Sequence, residues 1–328
     1  MTSRFCLFIW EDRHVSRETK PKMTNKIINT KDYLVTGESF KIALDQHTGV
    51  LKTMPAPNPE SLKKYYQTQQ YISYTSNPKT TLEKAYVFVR KIRIAKKIKT
   101  IKKLLNKGGS LLDFGCGTGD FLLKAMEAGL VVAGIEPDKK ARESAAVKTS
   151  SKIYRSKEHA GADSNKYDVI TLWHSLEHVL DLEPTIVFLK NKLKPGGKIL
   201  VAVPNHKSYD AKHYKEKWAA YDTPRHIWHF DQTSIEKIFN VYGFELIKKK
   251  RSFWDAFYVS VLSEKHKKSK MPFLKGFVIA RLSFFFSLFT GESSAITYTF
   301  SKEHKTQVHH ALFDSTALPQ AKSPRQPG

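Results

Sequence analysis

Leu111-Leu112-Asp113-Phe114-Gly115-Cys116-Gly117-Thr118-Gly119 is the stretch on which the reading of this chain turns. Ser110 to Phe114 is a short apolar run of the kind buried as a central strand, and it stops at a turn carrying three alternate glycines. Such glycines permit a tight turn and leave no side chain between the backbone and a ligand. A helix is expected from about Asp120. Val131 to Ile135 reads as a second strand with Glu136 at its tip. Tyr167 to Leu172, Lys198 to Val203, Phe244 to Lys248 and Ala295 to Phe300 are further strand candidates, with helical segments between them. Strands alternating with helices predict a parallel α/β sheet.

A carboxylate at the tip of the second strand can accept hydrogen bonds from ribose hydroxyls, which is how nucleotide folds use that position. The turn here is Gly-Cys-Gly-Thr-Gly and not the GxGxxG of a pyrophosphate cradle. Asp113, just before it, would repel a diphosphate and attract the ammonium of an amino-acid end. These features favour S-adenosylmethionine over a dinucleotide. An NAD-dependent reductase is the chemical mimic, since glycine turns and ribose-binding acids recur there.

On these residues the chain resembles the class I S-adenosylmethionine-dependent methyltransferases over about residues 106 to 303. Leu111 to Gly119 is similar to the family's first cofactor motif and Glu136 to its ribose-binding acid. Tyr167 to Val179 is similar to the fourth strand and the loop after it, and Leu193-Lys194-Pro195-Gly196-Gly197 to the approach to the fifth. Leu176-Glu177-His178-Val179 and Tyr221-Asp222-Thr223-Pro224-Arg225-His226-Ile227-Trp228-His229-Phe230 look most like the ubiquinone-biosynthesis-type members and bacterial relatives of unassigned substrate.

The resemblance implies a Rossmann-like seven-stranded, mostly parallel sheet with an antiparallel last strand. An N-terminal helical extension and a helical insertion before the last strand complete the expected fold. Asp113, Gly115, Gly117, Gly119, Glu136 and Trp173 are the expected cofactor residues. His174 and His178 are the candidate bases; bracing of the loop is the competing role for His174, and core packing for Trp173. Asp168 is expected near the cofactor cleft. Glu177 and His178 are adjacent with no dependable third ligand, so no dedicated metal site is expected. Such relatives often begin with a cysteine-rich zinc module. Met54 to Pro59 matches the Pro-rich segment that follows it, but no cysteine lies between Cys6 and Cys116, so no zinc module is expected.

Lys and Arg number 55 against 31 Asp and Glu, a formal charge of +24, which concentrates anions at the surface. Ile94, Ile98, Ile101 and Leu105 form an apolar stripe on a helix expected over 82–105, among Arg90, Arg93, Lys97 and other cations. A lid with a solvated rim, an anionic membrane surface and nucleic acid all suit such a helix. Two cysteines in unlike contexts favour a reducing compartment. The apolar opening Phe5 to Trp10 is too short for a secretory segment, and Lys275 and Arg281 argue against a span over Pro272 to Thr290. The expectation is a cytoplasmic protein.

The expected divisions are tails at 1–25 and 304–328, an accessory region at 26–105 and the catalytic domain at 106–303. Tyr214 to Phe230 reads as an aromatic cover for the substrate or as a rigid brace. Phe277, Ile279, Phe284, Phe285, Phe286 and Phe289 read as a helical core, a substrate tunnel or a membrane-facing surface. The leading function is O-methylation of a small or lipid-like acceptor. Methylation of RNA or protein and a noncatalytic cofactor-binding scaffold are the alternatives.

Overall fold

Three short strands, β1 (Ile28–Lys31), β2 (Ser39–Leu44) and β3 (Leu51–Met54), pair antiparallel in sequence order. Phe40 and Ile42 alternate inward along β2 while Lys41 faces water. An aspartate organises each connecting turn. Asp32 accepts the backbone N–H groups of Leu34, Val35 and Thr36, and Asp45 accepts the N–H and hydroxyl of Thr48. This sheet adds to the helical extension expected at the N-terminus; its strands are too short for their alternation to stand out in the sequence. Helix α1 (Pro59–Leu62) follows, capped by the Asn58 side chain, and then α2 (Thr81–Leu105). The computed structural model describes residues 27–66, 81–105 and 108–302. The expected tails and the apolar opening lie outside the described residues, as does the end of the short helix that the sequence suggests from Glu60 to about Gln70.

The larger region runs β4 (Ser110–Phe114), α3 (Asp120–Glu127), β5 (Val131–Ile135), α4 (Lys139–Thr149), β6 (Ile153–Tyr154), α5 (Lys157–Gly161) and β7 (Tyr167–Trp173). It continues with α6 (Leu182–Lys192), β8 (Leu193–Pro204), α7 (Tyr209–Tyr214), β9 (Trp228–His229), α8 (Gln232–Val241) and β10 (Phe244–Ser252). Helices α9 (Phe253–His266) and α10 (Pro272–Thr290) precede β11 (Ala295–Lys302). The large sheet has the order β10-β11-β8-β7-β4-β5-β6. The five strands from β8 to β6 are mutually parallel, and β11 runs antiparallel to both β8 and β10. The Rossmann-like sheet with one antiparallel strand is therefore as expected, while β9 leaves it to pair with β3 as the fourth strand of the small sheet.

Consecutive residues of the central strands divide between the two faces. Leu111, Val169 and Leu200 join the core under α2 and α3, where Ile94, Ile98 and Ile101 dock; Leu112, Ile170 and Val201 join the core under α6 and α8. The stripe on α2 is thus a protein-facing stripe. Truncating a buried leucine such as Leu112 to alanine costs about 2–5 kcal/mol.

Helices α9 and α10 form a hairpin between strands that pair with each other, Ser252 opposite Ala295. Ala295 also pairs with Pro204 at the end of β8, so the hairpin springs from the carboxyl edge of the parallel strands. That is the edge where open α/β sheets bind ligands.

Candidate active site

Gly115, Gly117 and Gly119 form the turn from β4 into α3, all at positive φ. A side chain at Gly119 would strike the backbone of Ala145 at 2.8 Å, because α3 and α4 pack closely there. Gly117 is different: at φ 55°, nothing lies within 4 Å of where its side chain would be. It is the point at which a ligand can reach the backbone. Glu136, buried at the tip of β5, accepts the Gly117 N–H at 2.8 Å and the Asp138 N–H at 2.9 Å, which fixes the turn against the second strand. Each carboxylate oxygen keeps lone-pair capacity for a further donor.

Asp113 is buried and accepts a 2.6 Å hydrogen bond from the Thr171 hydroxyl on β7. Burial pushes its carboxyl up to about 6, against the pull of Thr171 and of Lys97. Burial likewise lowers the Lys97 ammonium to about 8. Lys97 reaches in from α2, with Nζ 4.2 Å from the centre of the Trp173 ring, and Trp173 meets Phe121 edge-on. The indole nitrogen of Trp173 is buried without a hydrogen-bond partner among the described residues. Arg90 and Arg93 pair with Asp120 and Asp255 at 2.5 Å. Three cations of the basic helix therefore turn inward, towards acids on β4, α3 and α9.

Beyond β7 the chain turns sharply, with His174 at φ 55°. His174 Nδ1 lies 3.4 Å from Glu177 Oε1 and Nε2 lies 3.8 Å from Asp255 Oδ2. Burial works against its charge, yet Asp255 and Glu177 hold the proton and raise its pKa to about 9. His178 behaves oppositely: burial and the neighbouring His226 push it down to about 4. Its Nδ1 is 3.0 Å from the Arg225 carbonyl, and its ring meets His226 edge-on at 4.6 Å. Glu177 is fully buried, and apart from the ion-pair contact with His174 neither oxygen has a hydrogen-bond partner among the described residues. Adjacent Glu177 and His178 supply two ligands on one turn; the fold adds His226, and the ligand atoms of all three lie within 4.8 Å of one another.

The segment 221–230 holds this side in place. Arg225 is buried and binds Asp222, Asp32 and the Tyr65 carbonyl, while Ile227 N–H donates to the Glu177 carbonyl and Trp228 Nε1 to the Val179 carbonyl. Tyr214, Trp218, Tyr221, Trp228 and Phe230 are all buried, so the aromatic segment is a brace and not an open wall. Asp168, expected near the cleft, lies at the opposite end of the sheet. It accepts from the Ser110 N–H and hydroxyl and pairs with Lys194, at the start of β4 where parallel strands begin. Lys97, Thr171, Asp255 and His226 complete the site without any local sequence signal of their roles, since each meets its partner across distant elements.

Residues 88–249 match a family described as a methyltransferase domain, and the glycine turn, both acidic tips and the strand order fall within or around that match. This chain belongs to the class I S-adenosylmethionine-dependent methyltransferases. Among curated members of the family, it is 33% identical over 111 residues to the ubiquinone biosynthesis O-methyltransferase of Vibrio atlanticus. It is 30% identical over 105 residues to that of Aeromonas salmonicida. These matches take in 31% and 30% of this methyltransferase and 47% and 44% of the relatives, so the chain spans about half the length of the curated proteins it matches. Among solved structures, the magnesium protoporphyrin IX methyltransferase of Synechocystis PCC 6803 aligns with a TM-score of 0.47 at 12% identity, over 70% of this chain and 91% of that one.

The residues present fit S-adenosylmethionine, the methyl donor of this family. Gly117 leaves room at the backbone and Glu136 retains acceptor capacity for ribose hydroxyls. Asp113 and Lys97 are groups of opposite charge whose charged forms burial disfavours, and a zwitterionic amino-acid end would bring each the opposite charge that burial has taken from water.

Proposed function

We propose that the protein methylates a hydroxyl oxygen of a small or lipid-like acceptor, with His178 as general base and His174 as a fixed positive charge beside it. The observation that carries this reading is the contrast between the two histidines. His178 Nδ1 faces a backbone carbonyl and so carries the ring proton, which leaves Nε2 as a neutral acceptor at physiological pH. His174 sits between two carboxylates and keeps its proton. Bound S-adenosylmethionine supplies an already activated methyl group. Asp113 and Lys97 would orient its amino-acid end, Glu136 its ribose, and Trp173 would close the cleft against water. His178 would take the acceptor's hydroxyl proton. The relatives' names support oxygen as the accepting atom.

Titration calorimetry with S-adenosylmethionine, followed by transfer of labelled methyl into lipid, metabolite, RNA and protein fractions, tests the reading. Saturable binding with label in the lipid or metabolite fraction is expected. Label in RNA or protein, or a folded protein without cofactor affinity, overturns it. The buried Glu177 carboxylate, whose one contact among the described residues is the ion pair with His174, favours one second reading of the same cluster, a seat for a divalent cation formed with His178 and His226. Activity that survives chelation supports the proton relay; loss on chelation with recovery on added zinc or magnesium supports the cation.

A further inference from the structure

Helix α10 has its polarity reversed for a helix on the outside of a domain. The face it turns to the protein is made mainly of small and polar residues: Gly276, Ala280, Ser283 and Ser287 are buried at helical spacing, with Ile279 the one large apolar side chain among them. A side chain at Gly276 would strike the Val261 backbone at 2.8 Å, the Ser283 hydroxyl donates to Asp210 at 2.7 Å, and the Ser287 carbonyl accepts from Arg251. The outward face is greasy. Leu274, Phe277, Phe285, Leu288 and Phe289 stand exposed, Phe289 by 76%. A contiguous apolar face of this kind on a folded chain marks a contact surface.

The charges around that face select its occupant. Between residues 265 and 290 there is no Asp or Glu, while Lys265, Lys267, Lys268, Lys270, Lys275 and Arg281 are all exposed. Four of these cations lie together where α9 turns into α10, and Lys275 and Arg281 lie along α10 itself. Apolar side chains flanked by an excess of positive charge, of which, among the described residues, Lys267 alone lies near an acid in that hairpin, the buried Glu264 at 3.8 Å, match the two layers of an anionic bilayer surface, acyl chains below and phosphates above. The helix is long and apolar enough to cross a membrane. Its fixed contacts with α9, α7 and β10 and the pairing of the flanking strands instead hold it flat against the domain.

We propose that the α9–α10 hairpin docks the protein on anionic membranes, with the exposed phenylalanines of α10 in the acyl region and the lysines of the α9–α10 turn on the phosphates. The hairpin rises from the carboxyl edge of the sheet, and its Asp255 touches His174 and Arg93. Docking therefore brings the site's edge to the bilayer. The surface stands independently of the acceptor proposed above, because it is read from α10 and not from the site.

The test is co-sedimentation of the purified full chain with vesicles of phosphatidylcholine alone and of phosphatidylcholine mixed with phosphatidylglycerol. The protein is expected to pellet with the mixed vesicles and to be released by high salt. The combined Phe277→Ser, Phe285→Ser and Phe289→Ser variant should partition at least tenfold less, and Lys267→Glu with Lys268→Glu and Lys270→Glu should lose the preference for the mixed vesicles. Circular dichroism melting checks that the variants fold. Phe289→Ser alone, at the most exposed of these positions, gives a smaller loss and decides the matter where the combined variant does not fold. Wild-type protein that stays in solution with both vesicles overturns the proposal. So does binding unchanged in the variants, or self-association that these substitutions abolish in the absence of vesicle binding. A protein that pellets but transfers no methyl group overturns only the function proposed above.

Discussion

On the side of the cleft proposed for the cofactor, Asp113, Gly117 and Glu136 belong to one strand-turn-helix-strand unit in which Glu136 fixes the glycine turn, and Asp113 alone of the three takes its hydrogen bond from outside that unit, from Thr171. On the acceptor side, His174 meets Asp255, His178 meets His226, and Arg225 crosses to Asp32. The first side is specified by a local pattern; the second exists only when distant loops converge. Under the function proposed above, the first side would set cofactor affinity and the second turnover.

His178→Ala tests that separation most severely. Removal of a general base should lower kcat about 10²–10⁴-fold while the S-adenosylmethionine Kd from calorimetry stays unchanged. A shift in Kd without a loss of kcat would erase the distinction between the two sides. Arg225→Ala comes next: it leaves Asp32 and Asp222 without their buried cation and should cost about 3–5 kcal/mol in urea unfolding. Lys97→Met acts on the other side, weakening cofactor binding about tenfold to a hundredfold, the ~1.5–3 kcal/mol of a hydrogen bond to a charged group, with kcat at saturating cofactor preserved.

The gentlest probe is pH. A base with the depressed pKa of His178, about 4, is ready throughout the neutral range, so kcat/KM should stay flat on the acid side until pH approaches that value. A base with the pKa of His174, about 9, would instead make kcat/KM climb steadily through neutrality. The His178 titration also sets a direction for stability. The unfolded imidazole gains its proton near pH 6.5 while the folded one resists until about 4, so this group's stabilisation is present above 6.5 and is lost as pH falls through that window.

The legibility of the molecule follows the same divide. The apolar runs of β4, β5 and β7 and the glycine turn declare the parallel sheet because each strand is buried on both faces and each glycine has a local steric duty. The small sheet was hidden: β1 and β3 are four residues long, and β9, two residues long, reaches β3 from the far side of the catalytic region. Lys97 reads as one more cation on a basic helix until the fold sets Asp113 and Trp173 beside it. Asp168 shows the opposite failing, since a carboxylate near a motif in sequence sits at the wrong end of its strand. The faces of α10 could not be told apart by composition, because the small residues that bury and the large ones that do not are interleaved around a helix rich in both.

The Asp32–Arg225 pair carries a consequence for biosynthesis. The two residues are 193 positions apart, so a ribosome completes most of the catalytic region before the guanidinium that neutralises the first turn exists. The first hairpin of the small sheet must wait in a nascent chain, its carboxylate held by the backbone and the Thr36 hydroxyl of its own turn, until that late loop emerges and closes over it.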